Sequence, residues 1–174
     1  MIPSSYEVIR DMAKDRVVII MGSSSDEKFT RSIQSTLEKL ELTYEVRVSS
    51  AHKTPHRLLE MLREYESSEG VKVYITVAGR SNALSGLVDA NTQYPVIVCP
   101  PQSERFGGAD IYSSLRMPSG VAPMVVLEPE NAALAAAKIL ALLDDATREK
   151  ILRYQKAFKK FVEGEDDRLR RTEK

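Results

Sequence analysis

The stretch Ser49-Ser50-Ala51-His52-Lys53-Thr54-Pro55 holds one of only two histidines in 174 residues. A neutral imidazole takes or gives a proton near pH 7, so a histidine set among small residues beside a lysine is suited to shuttling one. An ordinary loop histidine is the plain alternative. The neighbouring polar stretches bring the two readings level. In Gly22-Ser23-Ser24-Ser25-Asp26, backbone N–H groups and hydroxyls at a helix start suit a phosphate. Asp26 suits a helix cap and can accept hydrogen bonds from ribose hydroxyls. The stretch matches neither the P-loop nor the dinucleotide glycine pattern, and a serine-rich turn with a capping aspartate explains it equally well. In Ala78-Gly79-Arg80-Ser81-Asn82, Arg80, like Lys53, offers charge to a phosphate or carboxylate, or is a surface cation. Ser81 and Asn82 offer neutral hydrogen bonds, or cap a helix. His56 reads as solvent-facing and Cys99 as inert core.

The elements that must position these residues follow from periodicity. Val17-Val18-Ile19-Ile20-Met21 is a continuous apolar run, as in a strand buried on both faces. Phe29, Ile33, Leu37 and Leu40 then recur at helical spacing. Tyr44, Val46 and Val48 alternate with Glu45 and Arg47, which predicts a wetter strand near an edge. Thr54 and Pro55 read as N-cap and first turn of a helix striped by Leu58, Leu59, Leu62 and Tyr65. Further strands are predicted over Val71–Val77, Pro95–Cys99 and Ala122–Leu127, a helix over Asn131–Leu143, and a charged amphipathic helix from about Ala146 to Val162. Strands alternating with helices predict a single α/β domain with a parallel sheet. The wetter second strand favours flavodoxin-like order in three layers, with the first and third strands adjacent. Each polar stretch, including "PPQSERFGG" after the fourth strand, follows a strand. All four therefore meet at the carboxyl edge, where open α/β sheets bind ligands.

Composition narrows the classes. Lys plus Arg equals Asp plus Glu at 25 each, which argues against a nucleic-acid binder. One cysteine excludes an internal disulfide framework and fits a cytoplasmic setting. No signal-peptide pattern is present. The longest apolar stretch, Ala132 to Leu143, is interrupted by Lys138 and is too short to span a bilayer. Zinc-ligand spacing, a serine nucleophile elbow and paired carboxylates are all missing. A phosphate-like pocket and one candidate proton shuttle remain.

"MGSSSD", "SSAHKTP" and "AGRSN", in that order and spacing, resemble the phosphoribosylaminoimidazole carboxylases of purine biosynthesis (PurE) over about Val17 to Ala141. The family has two classes. Class I carries a glycine- and alanine-rich loop with a second histidine after the third strand, and usually arginine where Lys53 stands. The "AGRSN" loop, "NTQYPVIVCPP" and "SSLRMPSG" resemble class II, which adds free CO2 to a ring carbon of 5-aminoimidazole ribonucleotide; class I is a mutase that moves a carboxylate onto that carbon. Class II members also occur fused to the next synthetase, for which this chain has no room.

The resemblance implies that His52 carries the ring-carbon proton and that Ser23, Asp26 and, by extension, Ser25 contact the nucleotide. It implies that Ser50, Ala51 and Lys53 line the pocket, that Gly79 allows close backbone approach, and that Arg80, Ser81 and Asn82 hold CO2 or the nascent carboxylate. It implies no cofactor or metal, and a homo-octamer. The expected division is an N-terminal extension at 1–16 (a short helix covering the domain), a catalytic α/β domain at 17–144, and a C-terminal helix and tail at 145–174. That last helix is too amphipathic to stand alone and is expected to pack on a neighbour. Gln102 to Asp110 reads as a polar, glycine-bearing lid. The alternatives are the class I mutase and a non-catalytic nucleotide-binding module.

Overall fold

The computed structural model describes residues 15–103 and 105–172. The expected N-terminal helix lies almost wholly outside them. Five parallel strands form one sheet in the order β2-β1-β3-β4-β5: β1 (Arg16–Met21), β2 (Tyr44–Val48), β3 (Lys72–Val77), β4 (Val96–Val98) and β5 (Met124–Val125). This is the flavodoxin-like arrangement, with β1 and β3 adjacent. β1 pairs in register with both neighbours, Met21 opposite Val48 on one side and Val77 on the other.

The helices are α1 (Glu27–Lys39), α2 (Pro55–Ser67), α3 (Ala83–Asp89), α4 (Tyr112–Leu115), α5 (Pro129–Leu140) and α6 (Asp145–Thr172). Side chains alternate across a strand, so β1 feeds two cores. Val17, Ile19 and Met21 pack with Ile33, Leu37 and the small residues Ala132, Ala133 and Ala136, which belong to α1 and α5. Val18 and Ile20 pack with Leu58, Leu62, Leu84 and Val88 of α2 and α3. A sheet covered on both faces explains why β1 is apolar throughout.

β2 is the edge strand that its alternation predicts. Its polar face is not left to water, because the Tyr65 hydroxyl donates to Glu45 Oε2 (2.7 Å) and accepts from Arg47 Nη1 (3.0 Å), while Arg16 pairs with Glu45. β5 is much shorter than the apolar run Ala122–Leu127, since only Met124 and Val125 find partners on the three-residue β4. α5 starts two residues earlier than its periodicity suggests, with Pro129 in its first turn.

α6 extends ten residues past the expected end at Val162. Ile151 and Tyr154 seat its first turns against Leu40, Ala137 and Ala141. Beyond them Phe158, Phe161 and Val162 are exposed. No helix among the described residues is long and apolar enough to cross a membrane.

Candidate active site

His52 stands on a self-closed turn between β2 and α2. Ser49 N–H donates to Met21 O (2.9 Å), extending the β1 ladder one residue past β2, and the Ser49 side chain is buried. Thr54 N–H then donates to Ser50 O (2.8 Å), and Thr54 Oγ1 accepts from Ser50 N–H (3.0 Å). Thr54 therefore occupies the N-cap position of α2 but makes no side-chain cap bond; its hydroxyl closes the histidine turn instead. Pro55, with no N–H to satisfy, follows at the first helical position. His52 and Lys53 are exposed at the turn's tip, and His56 faces solvent.

The serine-rich stretch also caps itself differently from expectation. A 3-10 turn, Ser24–Asp26, precedes α1, and its cap is Ser23, whose Oγ accepts from Ser25 N–H (3.2 Å) and Ser25 Oγ (2.9 Å). Asp26 stands at the N-cap of α1 without a side-chain cap bond, which leaves its carboxylate to the cleft. Burial raises the Asp26 pKa, opposed by a backbone hydrogen bond from Ser23 and by the charge of Arg80.

The third loop is bent by its own backbone. Arg80 has φ +59°, the left-handed region that costs a residue with a Cβ about 1–2 kcal/mol. Two residues on, Asn82 is buried and caps α3, its Oδ1 accepting from Ser85 N–H (3.3 Å) while its Nδ2 donates to Ser114 Oγ (2.9 Å). The sequence offers Asn82 either as a contact for CO2 or a carboxylate or as a helix cap. Its amide is held by protein groups and does not line the cleft; of the two roles open to it, the helix cap is the one formed. Gly79 has the opposite character: a Cβ there would meet nothing closer than Pro101 O at 3.7 Å, so packing within the chain does not demand the glycine.

These three loops share one cleft of about 570 Å³ at the carboxyl edge. Ser23, Ser25, Asp26, Ser50, Ala51, His52, Lys53, Gly79, Arg80 and Ser81 all line it. Pro101, Gln102 and Ser103 close its far side. None of the three was singled out as a substrate-binding residue; the sequence marks them by their place after β4 and, for Gln102 and Ser103, by the polar stretch read as a lid. They also border a smaller hollow of about 280 Å³ that reaches Asp110, Ser114 and Leu127. A 3-10 helix, Arg105–Ile111, takes up the later part of the expected lid and ends one residue beyond it. Cys99 is buried under the site and burial pushes its thiol up to about 12, which keeps it protonated and inert.

The arrangement can seat a small anionic ligand. The hydroxyls of Ser23 and Ser25, the Asp26 carboxylate, the Lys53 and Arg80 cations and the His52 imidazole share the cleft's walls, with Arg80 near enough to Asp26 for its charge to favour the ionised carboxylate.

Comparison with known proteins bears on this geometry. The family model described as AIR carboxylase matches residues 16–160. A phosphoribosylaminoimidazole carboxylase of Archaeoglobus fulgidus is 55% identical over 155 residues, covering 89% of this chain and 85% of that protein. The crystal structure of Treponema denticola PurE is 48% identical with a TM-score of 0.87, covering 89% of this chain and 98% of that one. A bifunctional phosphoribosylaminoimidazole carboxylase/phosphoribosylaminoimidazole succinocarboxamide synthetase of Homo sapiens is 42% identical over 135 residues, which cover 78% of this chain and 32% of that protein.

Proposed function

This chain belongs to the AIR carboxylase family, and we propose that it carboxylates 5-aminoimidazole ribonucleotide with free CO2, using His52 to move the ring proton. Carboxylation of the aminoimidazole ribonucleotide in de novo purine biosynthesis is the activity of the family. The use of CO2 and the residue roles are inferences from the site. The observation that carries them is the convergence of three strand-end loops, bearing His52, Asp26 and Arg80, on one cleft.

The chemistry asks little of the protein beyond placement. The aminoimidazole is an electron-rich enamine, and its C4 attacks the carbon of CO2 directly. One C–C bond forms, and an electron pair moves from a C=O bond onto oxygen. C4 then carries both a proton and a carboxylate, and the ring is no longer aromatic. Transfer of that proton to neutral His52 returns the C–H electron pair to the ring. In the reverse direction His52 gives it back. An imidazole ring nitrogen can both accept and donate a proton, which serves both directions.

Ser23 and Ser25, at the α1 end, hold the phosphate, and Asp26 accepts hydrogen bonds from the ribose hydroxyls. Ser50, Ala51 and Lys53 form the wall on the His52 side, with Lys53 balancing the ligand's charge. Gly79 lets the ligand approach the backbone closely. Arg80 and Ser81 steady the developing carboxylate with fixed dipoles and charge. Asn82 contributes by fixing the loop that carries them.

Direct use of CO2 is supported by the "AGRSN" loop and by similarity to a relative in which a carboxylase is joined to a synthetase. Residues 17–144 serve as the catalytic unit, in a cytoplasmic homo-octamer that residues 145–174 help assemble. Light scattering of a chain truncated at about Asp144 checks the assembly.

The deciding experiment offers the purified protein two substrates separately. One is aminoimidazole ribonucleotide in CO2/bicarbonate; the other is its nitrogen-carboxylated isomer with free CO2 scavenged. Turnover of only the first is expected. Turnover of only the second makes the chain a mutase.

A further inference from the structure

We infer that Ser113, which lies outside the cleft walls, is a positioning residue that holds the Arg80 loop in its working conformation. The inference rests on the carboxylase reading for its effect on turnover, and on geometry alone for the clamp. Ser113 Oγ accepts from Asn82 N–H (3.0 Å) and lies 3.0 Å from Arg80 O and 2.7 Å from Asp110 O. A hydroxyl has one proton and two lone pairs. It can thus take the Asn82 N–H and donate to one of the two carbonyls. The residue between the two loop contacts is Ser81, and the first contact is on the residue whose backbone is left-handed, Arg80. A local conformation of that kind persists only where its surroundings hold it.

The holding segment is itself fastened at two further points along α3. Met117 Sδ lies 3.3 Å from where a Cβ on Gly86 would stand, so the absence of a side chain at Gly86 gives Met117 its seat. Ala122 N–H donates to Asp89 Oδ2 (2.7 Å). The stretch from Ser113 to Ala122 thus runs as a strap along α3, and its first hydroxyl sets the backbone that presents Arg80 and Ser81 to the cleft.

The test compares the whole protein with Ser113→Ala and Ser113→Thr. In Ser113→Ala, hydrogen exchange at the Asn82 amide is expected to speed at least about tenfold. The kcat with aminoimidazole ribonucleotide and CO2 should fall about 10- to 100-fold, with KM for the ribonucleotide little changed. Ser113→Thr, which keeps the hydroxyl, restores both. Unchanged exchange in Ser113→Ala overturns the clamp. Faster exchange with unchanged kcat overturns the positioning role. If the wild-type chain carboxylates nothing while Ser113→Ala still loosens Asn82, the carboxylase reading fails and the clamp stands.

Discussion

Gly22 and Ala78 stand against each other where β1 and β3 leave the sheet: a Cβ on Gly22 would come 3.2 Å from Ala78 Cβ. Gly22 N–H also donates to Val77 O (2.9 Å), so the two strand ends are tied where their loops enter the cleft. The Ala78 methyl group is fixed to its backbone and has no rotamer to give. Gly22→Ala is therefore expected to destabilise the protein by about 1–3 kcal/mol, read as a lower urea midpoint. An unchanged midpoint would show that the crossing is not tight.

His52 is held by a turn whose hydrogen bonds come from Ser50 and Thr54, not from its own ring. Its replacement should leave the turn intact. His52→Asn is expected to lower kcat about 10²- to 10⁴-fold while calorimetry finds the ribonucleotide bound within a few-fold of wild type. Wild-type turnover in this variant removes His52 from the mechanism.

Asp26 gives a pH test with a definite sign. Burial raises its folded-state pKa, so the folded chain binds more protons than the unfolded one between the ordinary and the raised value. Stability falls as pH climbs through that window, and the penalty persists above it. Asp26→Asn removes the penalty. Its urea midpoint should equal or exceed that of wild type at pH 7, the gap closing as pH falls below the ordinary carboxylate range, while KM for the ribonucleotide rises. A variant less stable than wild type at pH 7 would mean that the Ser23 and Arg80 contributions outweigh burial.

Asn82 joins two elements, accepting from Ser85 N–H as the cap of α3 and donating through Nδ2 to Ser114 Oγ. Asn82→Ala loses the cap and leaves the buried Ser114 hydroxyl short of a partner. The expected cost is about 2 kcal/mol. Asn82→Asp retains an acceptor for Ser85 N–H and should cost less. Equal losses in the two variants would argue against the cap.

Much of this architecture could be read from residue order alone. The apolar run at Val17 to Met21 demands burial on two faces, and two faces demand helices on both sides. The alternation from Tyr44 to Val48 is a one-dimensional pattern that marks an edge. The placement of "GSSSD", "SSAHK" and "AGRSN" after successive strands then brings them to one sheet edge, because parallel strands all end on the same side. The strand and helix types, their order and the meeting of three loops are determined by the sequence for these reasons.

The use made of each polar group was not legible in the same way, because a hydroxyl or carboxamide near a helix start has several partners within reach. Thr54 reads as a cap and instead closes the turn beneath His52. Asp26 reads as a cap and is left to the cleft because Ser23 takes that role one turn earlier. Asn82 reads equally as ligand or cap, and a contact with Ser114, 32 residues away, sets it as a cap. Residue types and periodicity determine which elements form and which loops converge. Only the tertiary structure decides which of several nearby partners each polar group takes, since that choice depends on distances between segments far apart in the chain.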